Sequence, residues 1–177
     1  NTNPLARFTL LAQGEQVHIA TYPPAWPFKR MGLAGNYNLT EAIRIRSAAH
    51  SFEGKVFNIV SSCILDGDAI DQVSKGNPEI KALLERAPPP ISLILGPTGE
   101  MIAEPVIGKE GMVVADIDVA QCIEQKQAHD IVGYYNRFDI FHLEVNFTPN
   151  LPIWPKGLHE EAPPEEEEES NTEKLND

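Results

Sequence analysis

Cysteine offers the most versatile side-chain chemistry in this sequence, because its thiolate serves as a nucleophile or a metal ligand. The 177 residues contain two cysteines, Cys63 and Cys122. Nucleophilic catalysis by Cys63 would require a base such as His50 or His129 to approach it. No Cys-His signature surrounds either cysteine, so we expect both to be small buried apolar side chains. Their spacing indicates no metal site, no cofactor and no disulfide framework, which favours a reduced, cytoplasmic protein.

Other polar side chains are expected to have structural roles. His18 and His142 each lie between two apolar residues in β-rich runs, where alternation places a histidine on the face opposite its neighbours. Arg137 is flanked by Asp130 and Asp139. Its guanidinium is expected to hold the C-terminal segment to the sheet through bidentate hydrogen bonds, in preference to contacting a ligand.

The negative charge is concentrated at the C-terminal end. The chain has a net charge of -12, and residues 160–177 contain nine of its 26 acidic and one of its 14 basic side chains. This composition predicts a disordered acidic tail over residues 159–177 and argues against nucleic-acid binding. The composition also leaves open the alternative that the protein is a non-catalytic interaction module whose acidic tail binds a basic partner. No apolar run is long enough to span a bilayer, so no membrane partner is expected.

The first half of the chain reads as alternating helices and strands. Asn3 is a good N-cap for a helix that ends at Gly14, and a strand follows over residues 16–22 before tandem prolines. Asn38 is predicted to cap a second helix with Glu41 at its third position. Helical spacing predicts that four residues of this helix face the core. These are Ala42, Ile45, Ala49 and Phe52.

The second half is predicted to be richer in strands. Residues 56–60 form a strand that passes into a loop at 61–63, a turn follows at 66–68, and a helix covers 78–86. Strands at 91–95, 101–106 and 112–116, separated by glycine turns, suggest an antiparallel meander. Asp118 is expected to cap a last helix through residue 129. The order of elements predicts the α/β class, arranged as a layered sandwich.

Several segments in the same order resemble the nitrilase family. Residues 1–7, Asn-Thr-Asn-Pro-Leu-Ala-Arg, resemble the continuation of its Cys-Trp-Glu-[His/Asn]-x-x-Pro-Leu segment. Residues 130–139 are similar to its late Asp-x-x-Gly-[His/Tyr]-Tyr-x-Arg-x-Asp segment. The strand at 16–20, the passage at 53–57 and the turn at 96–99 also match. This collinear likeness covers residues 1 to about 145, far more than a single motif does.

The resemblance implies an α-β-β-α sandwich and hydrolysis of a nitrile to the acid and ammonia. Residues 1–158 would be the C-terminal part of a carbon–nitrogen hydrolase domain, incomplete without its N-terminal half. The family's nucleophilic Cys would lie three residues before Asn1, with its Lys and Glu residues earlier. We therefore expect no catalytic residue and no activity in these residues alone. The family also implies a small nitrile as substrate and, at full length, a homo-oligomer, either a dimer or a spiral.

The resemblance also directs attention to the loop that follows the first strand. In the family this strand end faces the nucleophile, so Tyr22, Pro23 and Trp26 are candidate substrate-binding residues in an apolar pocket for aromatic or arylaliphatic nitriles. Packing of Trp26 at a subunit contact is an equal alternative. Cyanide hydratase, which stops at the amide, is the closest alternative function.

Overall fold

The computed structural model describes residues 3–26, 37–149 and 152–153. These residues form five helices and four strands. The helices are α1 (Pro4–Ala12), α2 (Leu39–Gly54), α3 (Gly67–Ser74), α4 (Pro78–Glu85) and α5 (Ala120–Lys126). The strands are β1 (Val17–Tyr22), β2 (Phe57–Ser62), β3 (Ile91–Leu95) and β4 (Val106–Ile107). The predicted acidic tail at 159–177 lies outside the described residues, and so do residues 27–36, which belong to the loop predicted after the first strand.

All nine elements belong to a compact unit of residues 1–143, and residues 144–177 form a second unit. The four strands make one sheet in the order β1-β2-β3-β4. β1 pairs with β2 in parallel, with Val17 opposite Phe57 and Tyr22 opposite Ser62. β2 with β3, and β3 with β4, pair antiparallel. The mixture of five helices and a four-stranded sheet in the described residues confirms the predicted α/β class.

The β1-α2-β2 segment explains the parallel pair, because parallel neighbours require a crossover that is usually a helix. The α2 helix starts where Asn38 Oδ1 accepts a hydrogen bond from the Glu41 amide at 3.1 Å, as predicted. It packs against β2 and β3. The main core therefore combines apolar residues of α2 with those of β1, β2 and β3. Its members are Ala20, Tyr22, Leu39, Ile43, Val60, Ile91, Leu93 and Leu95.

The inward face of α2 differs from the predicted one. Ile45 is 57% exposed and Phe52 is 48% exposed, although helical spacing predicted both in the core. The buried face is narrow and made mainly of small or polar residues, because α2 lies close to its neighbours. An added Cβ at Gly54 would overlap the Leu11 side chain of α1. The residues buried on α2 are Leu39, Ile43, Ser47, His50, Ser51 and Gly54.

Three boundaries in the second half also differ from prediction. β2 continues through Ser62, whose hydroxyl donates to the Ile91 carbonyl at 2.7 Å. The predicted turn at 66–68 is the start of α3, where Asp66 accepts from the Ala69 amide at 2.8 Å. The last helix, α5, covers only residues 120–126, and Asp118 Oδ1 accepts from the Ala120 amide at 2.9 Å just before it.

The antiparallel meander is shorter than predicted. Residue 101 forms only an isolated bridge with Leu95, β4 has two residues, and residues 112–116 form no strand. The turn at 96–99 is present, with the Gly99 amide donating to the Gly96 carbonyl at 2.9 Å. Gly99 has a φ of +82°, which glycine adopts without strain. No helix among the described residues is both long and apolar enough to cross a membrane.

Candidate functional site

Glu15 connects two histidines from different elements. Its Oε1 lies 2.7 Å from Nδ1 of His18, and its Oε2 lies 2.8 Å from Nε2 of His50. Because a carboxylate only accepts hydrogen bonds, each imidazole donates through the nitrogen facing Glu15. The two imidazole centroids are 4.1 Å apart. We call these three residues the Glu-His-His cluster.

The local fold brings the cluster together. Gly14, with a φ of +85°, turns the chain after α1, so that Glu15 directly precedes β1. Alternation along β1 places His18 on the same face as the buried Ala20 and Tyr22. His50 extends from the buried side of α2. The cluster therefore joins the α1-β1 turn, β1 and the crossover helix.

Charged groups also lie near the cluster. Nζ of Lys126 in α5 donates to the backbone carbonyl of Glu15 at 3.3 Å. The Arg7 guanidinium of α1 is paired with the Glu53 carboxylate of α2. The pKa of His50 is lowered chiefly by burial, and the hydrogen bond to Glu15 opposes this shift. His50 is 3% exposed, so its neutral form is favoured.

The cluster has the donor atoms of a metal site. One ligand atom from each residue lies within 4.8 Å of the other two. Two imidazole nitrogens and one carboxylate oxygen form a ligand set that suits divalent transition metals. Sequence reasoning predicted only a structural role for His18 and did not connect it with His50. The available signal was the Glu15-x-x-His18 spacing at the start of a strand, but His50 is 35 residues from Glu15 and only the fold brings it near.

The predicted substrate-binding residues lie elsewhere, at the carboxyl end of β1. The Tyr22 side chain is 7% exposed and belongs to the main core. Pro23 is exposed, and Trp26 is 41% exposed. The Cys63 amide donates to the Tyr22 carbonyl at 3.2 Å, so the end of β2 meets this loop.

The two cysteines have different surroundings. Cys63 is exposed, so the expectation that it is a buried apolar side chain is wrong: β2 ends at Ser62 and Cys63 follows at the sheet edge. Cys122 is buried as predicted, its thiol donates to the Gln16 carbonyl at 3.5 Å, and burial raises its pKa. The two histidines considered as bases have other neighbours, since His50 contacts Glu15 and the His129 ring lies edge-on to Phe52.

Arg137 forms only one of its two predicted carboxylate pairs. Its Nε and Nη2 donate to the two carboxylate oxygens of Asp139 at 2.8 and 2.7 Å. Asp130 Oδ1 instead accepts from the amides of Val132 and Gly133, because the backbone turns there. Arg137 and Asp139 are mostly exposed, and their contact raises the pKa of Arg137 and lowers that of Asp139.

Comparison with known proteins identifies relatives over most of the chain. No protein-family model matches it. It is 31% identical to a nitrilase of Paraburkholderia phymatum over 156 residues, which are 88% of this chain and 43% of that protein. A nitrilase of Talaromyces marneffei is 35% identical over 82% of this chain and 45% of its own length. An arylacetonitrilase of Aspergillus niger is 27% identical over 80% of this chain and 42% of its own length.

The chain therefore spans less than half the length of these curated relatives. The matched residues make up 80–88% of this chain in these three comparisons. The predicted resemblance to the nitrilase family is confirmed, since most of this chain is similar to part of several nitrilases.

Proposed function

We propose that this chain contributes the substrate pocket of an enzyme that hydrolyses nitriles to carboxylic acids and ammonia. Relatives named nitrilase, arylacetonitrilase and aliphatic nitrilase support nitrile hydrolysis in general. The parallel pairing of β1 and β2 is the observation that supports this position for the pocket. It brings the carboxyl ends of both strands, Tyr22 and Ser62, to one edge of the sheet. Ligands of α/β proteins bind at this kind of edge.

The proposed chemistry is nucleophilic catalysis by a thiolate. The sulfur adds to the nitrile carbon to give a thioimidate, and water then releases ammonia and a thioester, which a second water hydrolyses to the acid. We place the thiolate, the Glu and the Lys of this reaction outside residues 1–177. Two features support that placement. The described neighbours of Cys63 include no base in hydrogen-bonding contact with it, and Cys122 is buried against the Gln16 carbonyl.

Within the proposed pocket, the three predicted residues have different tasks. Pro23 and Trp26 offer exposed apolar surface beyond the end of β1. Tyr22 is buried in the core and fixes the start of the loop. An exposed indole has a large rigid apolar face that suits an aromatic ring. We therefore propose an arylaliphatic nitrile, such as phenylacetonitrile, as the preferred substrate.

The substitution Trp26→Ala tests this assignment in the product of the complete reading frame that encodes the chain. We expect kcat/KM for phenylacetonitrile to fall at least about tenfold relative to that for a short aliphatic nitrile, because only the ring covers the indole. Tyr135→Ala, which removes another exposed aromatic ring, is the control and should leave the ratio unchanged. Equal losses on both substrates, with a smaller particle on gel filtration, would assign Trp26 to a subunit contact.

The proposal extends to architecture and assembly. We propose that the sheet forms one layer of an α-β-β-α sandwich in a cytoplasmic homo-oligomer, either a dimer or a spiral. In the described residues α2 covers one face of the sheet, and β1 is the strand at one end of it. An end strand with exposed apolar side chains supports association with further structure.

A further inference from the structure

We propose that the Glu-His-His cluster is a binding site for one divalent transition-metal ion, with Zn²⁺ as the first candidate. As ligands we assign the carboxylate of Glu15 and the two nitrogens that face it, Nδ1 of His18 and Nε2 of His50. The site is separate from the loop assigned to the substrate and does not depend on nitrile hydrolysis. Nitrogen and oxygen donors of this kind are common ligands of Zn²⁺.

The donor atoms are close to the positions that a metal requires. Tetrahedral Zn²⁺ with ligands at about 2.0–2.2 Å places neighbouring donor atoms roughly 3.3–3.6 Å apart. Oε1 of Glu15 lies 2.7 Å from Nδ1 of His18, and its Oε2 lies 2.8 Å from Nε2 of His50. One possible ligand atom from each of the three residues lies within 4.8 Å of those of the other two. Small side-chain rotations would therefore admit the ion while the backbone stays in place.

Metal binding would change the hydrogen bonding of the cluster. A metal ion binds a nitrogen that carries no proton, so the facing nitrogen of each imidazole must lose the proton that it donates to Glu15. Nδ1 of His50 is buried and has no hydrogen-bond partner among the described residues. This atom is the outer nitrogen of His50 and is not one of the three proposed donors. The single N–H proton of each neutral ring would then be carried by its outer nitrogen, while the facing nitrogen binds the ion.

Nearby cations leave the carboxylate available. The Arg7 guanidinium is paired with Glu53, which offsets its charge. The Lys126 ammonium donates to the backbone carbonyl of Glu15 and not to its carboxylate in any described hydrogen bond. Three protein ligands leave one coordination position for water. Because the ligands come from the α1-β1 turn, β1 and α2, the bound ion would hold these three elements together.

The test is calorimetric titration of the metal-stripped full chain with Zn²⁺, in a Cys63→Ser background that removes the exposed thiol. We expect one ion per chain. Glu15→Gln, His18→Gln and His50→Gln should each weaken Zn²⁺ binding at least about tenfold, since losses of this size follow even removal of groups that only support metal ligands. The control variants His129→Gln and His142→Gln change histidines outside the cluster and should bind as the parent does.

A second measurement needs no substitution in the cluster and so does not depend on variant folding. Co²⁺ titrated into the same parent chain should give saturable visible ligand-field bands that Zn²⁺ removes at one equivalent. The absence of such bands in folded protein would overturn the proposal. Zn²⁺ binding that is unchanged by His18→Gln and His50→Gln in folded variants would also overturn it, and would place the ion elsewhere on the chain.

Discussion

At the residue scale, Glu15 is in contact with residues of three elements, β1, α2 and α5. Its carboxylate accepts from His18 and His50, and its backbone carbonyl accepts from Lys126. Its side chain is only 12% exposed. Removal of such an acceptor leaves buried donors unsatisfied, which costs more than the mean value of a hydrogen bond.

We predict that Glu15→Ala lowers the free energy of unfolding by about 1–3 kcal/mol in metal-free buffer. Urea denaturation of the 177-residue chain measures this change. Glu41→Ala is the matched control, because Glu41 pairs with Arg44 at 2.9 Å on an exposed part of α2. An exposed pair at this helical spacing contributes only about 0.3–0.5 kcal/mol. Equal losses for the two variants would show that the cluster adds no more than a surface ion pair.

The sequence predicted part of the candidate sites and missed the rest for a physical reason. The loop after β1 was predicted as a substrate site because local patterns and a family resemblance both mark it, and this stays a prediction. The Glu-His-His cluster was missed because each of its members, considered alone, has an ordinary structural interpretation in a turn, a strand or a helix. Only the α2 crossover brings His50 against β1, and the predicted inward face of α2 was the wrong one. Because the predicted inward face of α2 did not include His50, the sequence pattern did not indicate this site.

At the element scale, the end of a short helix depends on the backbone conformation of the residues that follow it. The α3 helix ends at Ser74 and is followed by Lys75, an exposed residue with a φ of +50° in the left-handed region. A residue with a Cβ is destabilised by roughly 1–2 kcal/mol in this backbone conformation, whereas glycine is not. Gly76 follows with a φ of +75°, so two consecutive residues turn the chain between α3 and α4.

We predict that Lys75→Gly is more stable than Lys75→Ala by about 1 kcal/mol, because both remove the same charge and only glycine relieves the left-handed strain. Thermal and urea unfolding of the two variants measure the difference. The same pair of substitutions at Lys81, inside α4, is the control and should favour alanine. Greater stability of Lys75→Ala over Lys75→Gly would contradict the backbone assignment at this helix end.

The elements that the sequence predicted well are those with a strong local signal. The Asn3 and Asn38 caps, the strand before the tandem prolines and the helix after Asn77 all agree with the structure. The α3 helix was missed because Asp66 and Gly67 are typical of turns as well as of helix starts. The meander was overpredicted because β-rich composition does not supply a pairing partner, and only two residues of β4 find one.

At the scale of the whole molecule, β1 is the end strand of the described sheet and carries an exposed apolar residue. Ile19 is 70% exposed at the middle of the strand. An exposed strand edge with apolar side chains promotes pairing between chains. We expect the 177-residue chain to self-associate for this reason when it is prepared alone.

We predict that Ile19→Lys increases the monomer fraction of the chain in sedimentation velocity, because a charge on an edge strand opposes edge-to-edge pairing. Ile45→Lys is the control, since Ile45 is similarly exposed but lies on α2. The control should have a much smaller effect. Identical effects of the two lysines would show that added charge, and not the strand edge, determines association.

The central claim is that this chain serves in nitrile hydrolysis, and its most direct test is product analysis. The product of the complete reading frame that encodes the chain would be incubated with phenylacetonitrile, with Cys63→Ala and the 177-residue chain alone as controls. We predict equimolar ammonia and phenylacetic acid from the complete product, unchanged by Cys63→Ala, and no ammonia from the 177 residues alone. Phenylacetamide as the main product would favour a hydratase. Failure of the complete, folded product to consume phenylacetonitrile, benzonitrile or a short aliphatic nitrile would contradict the claim.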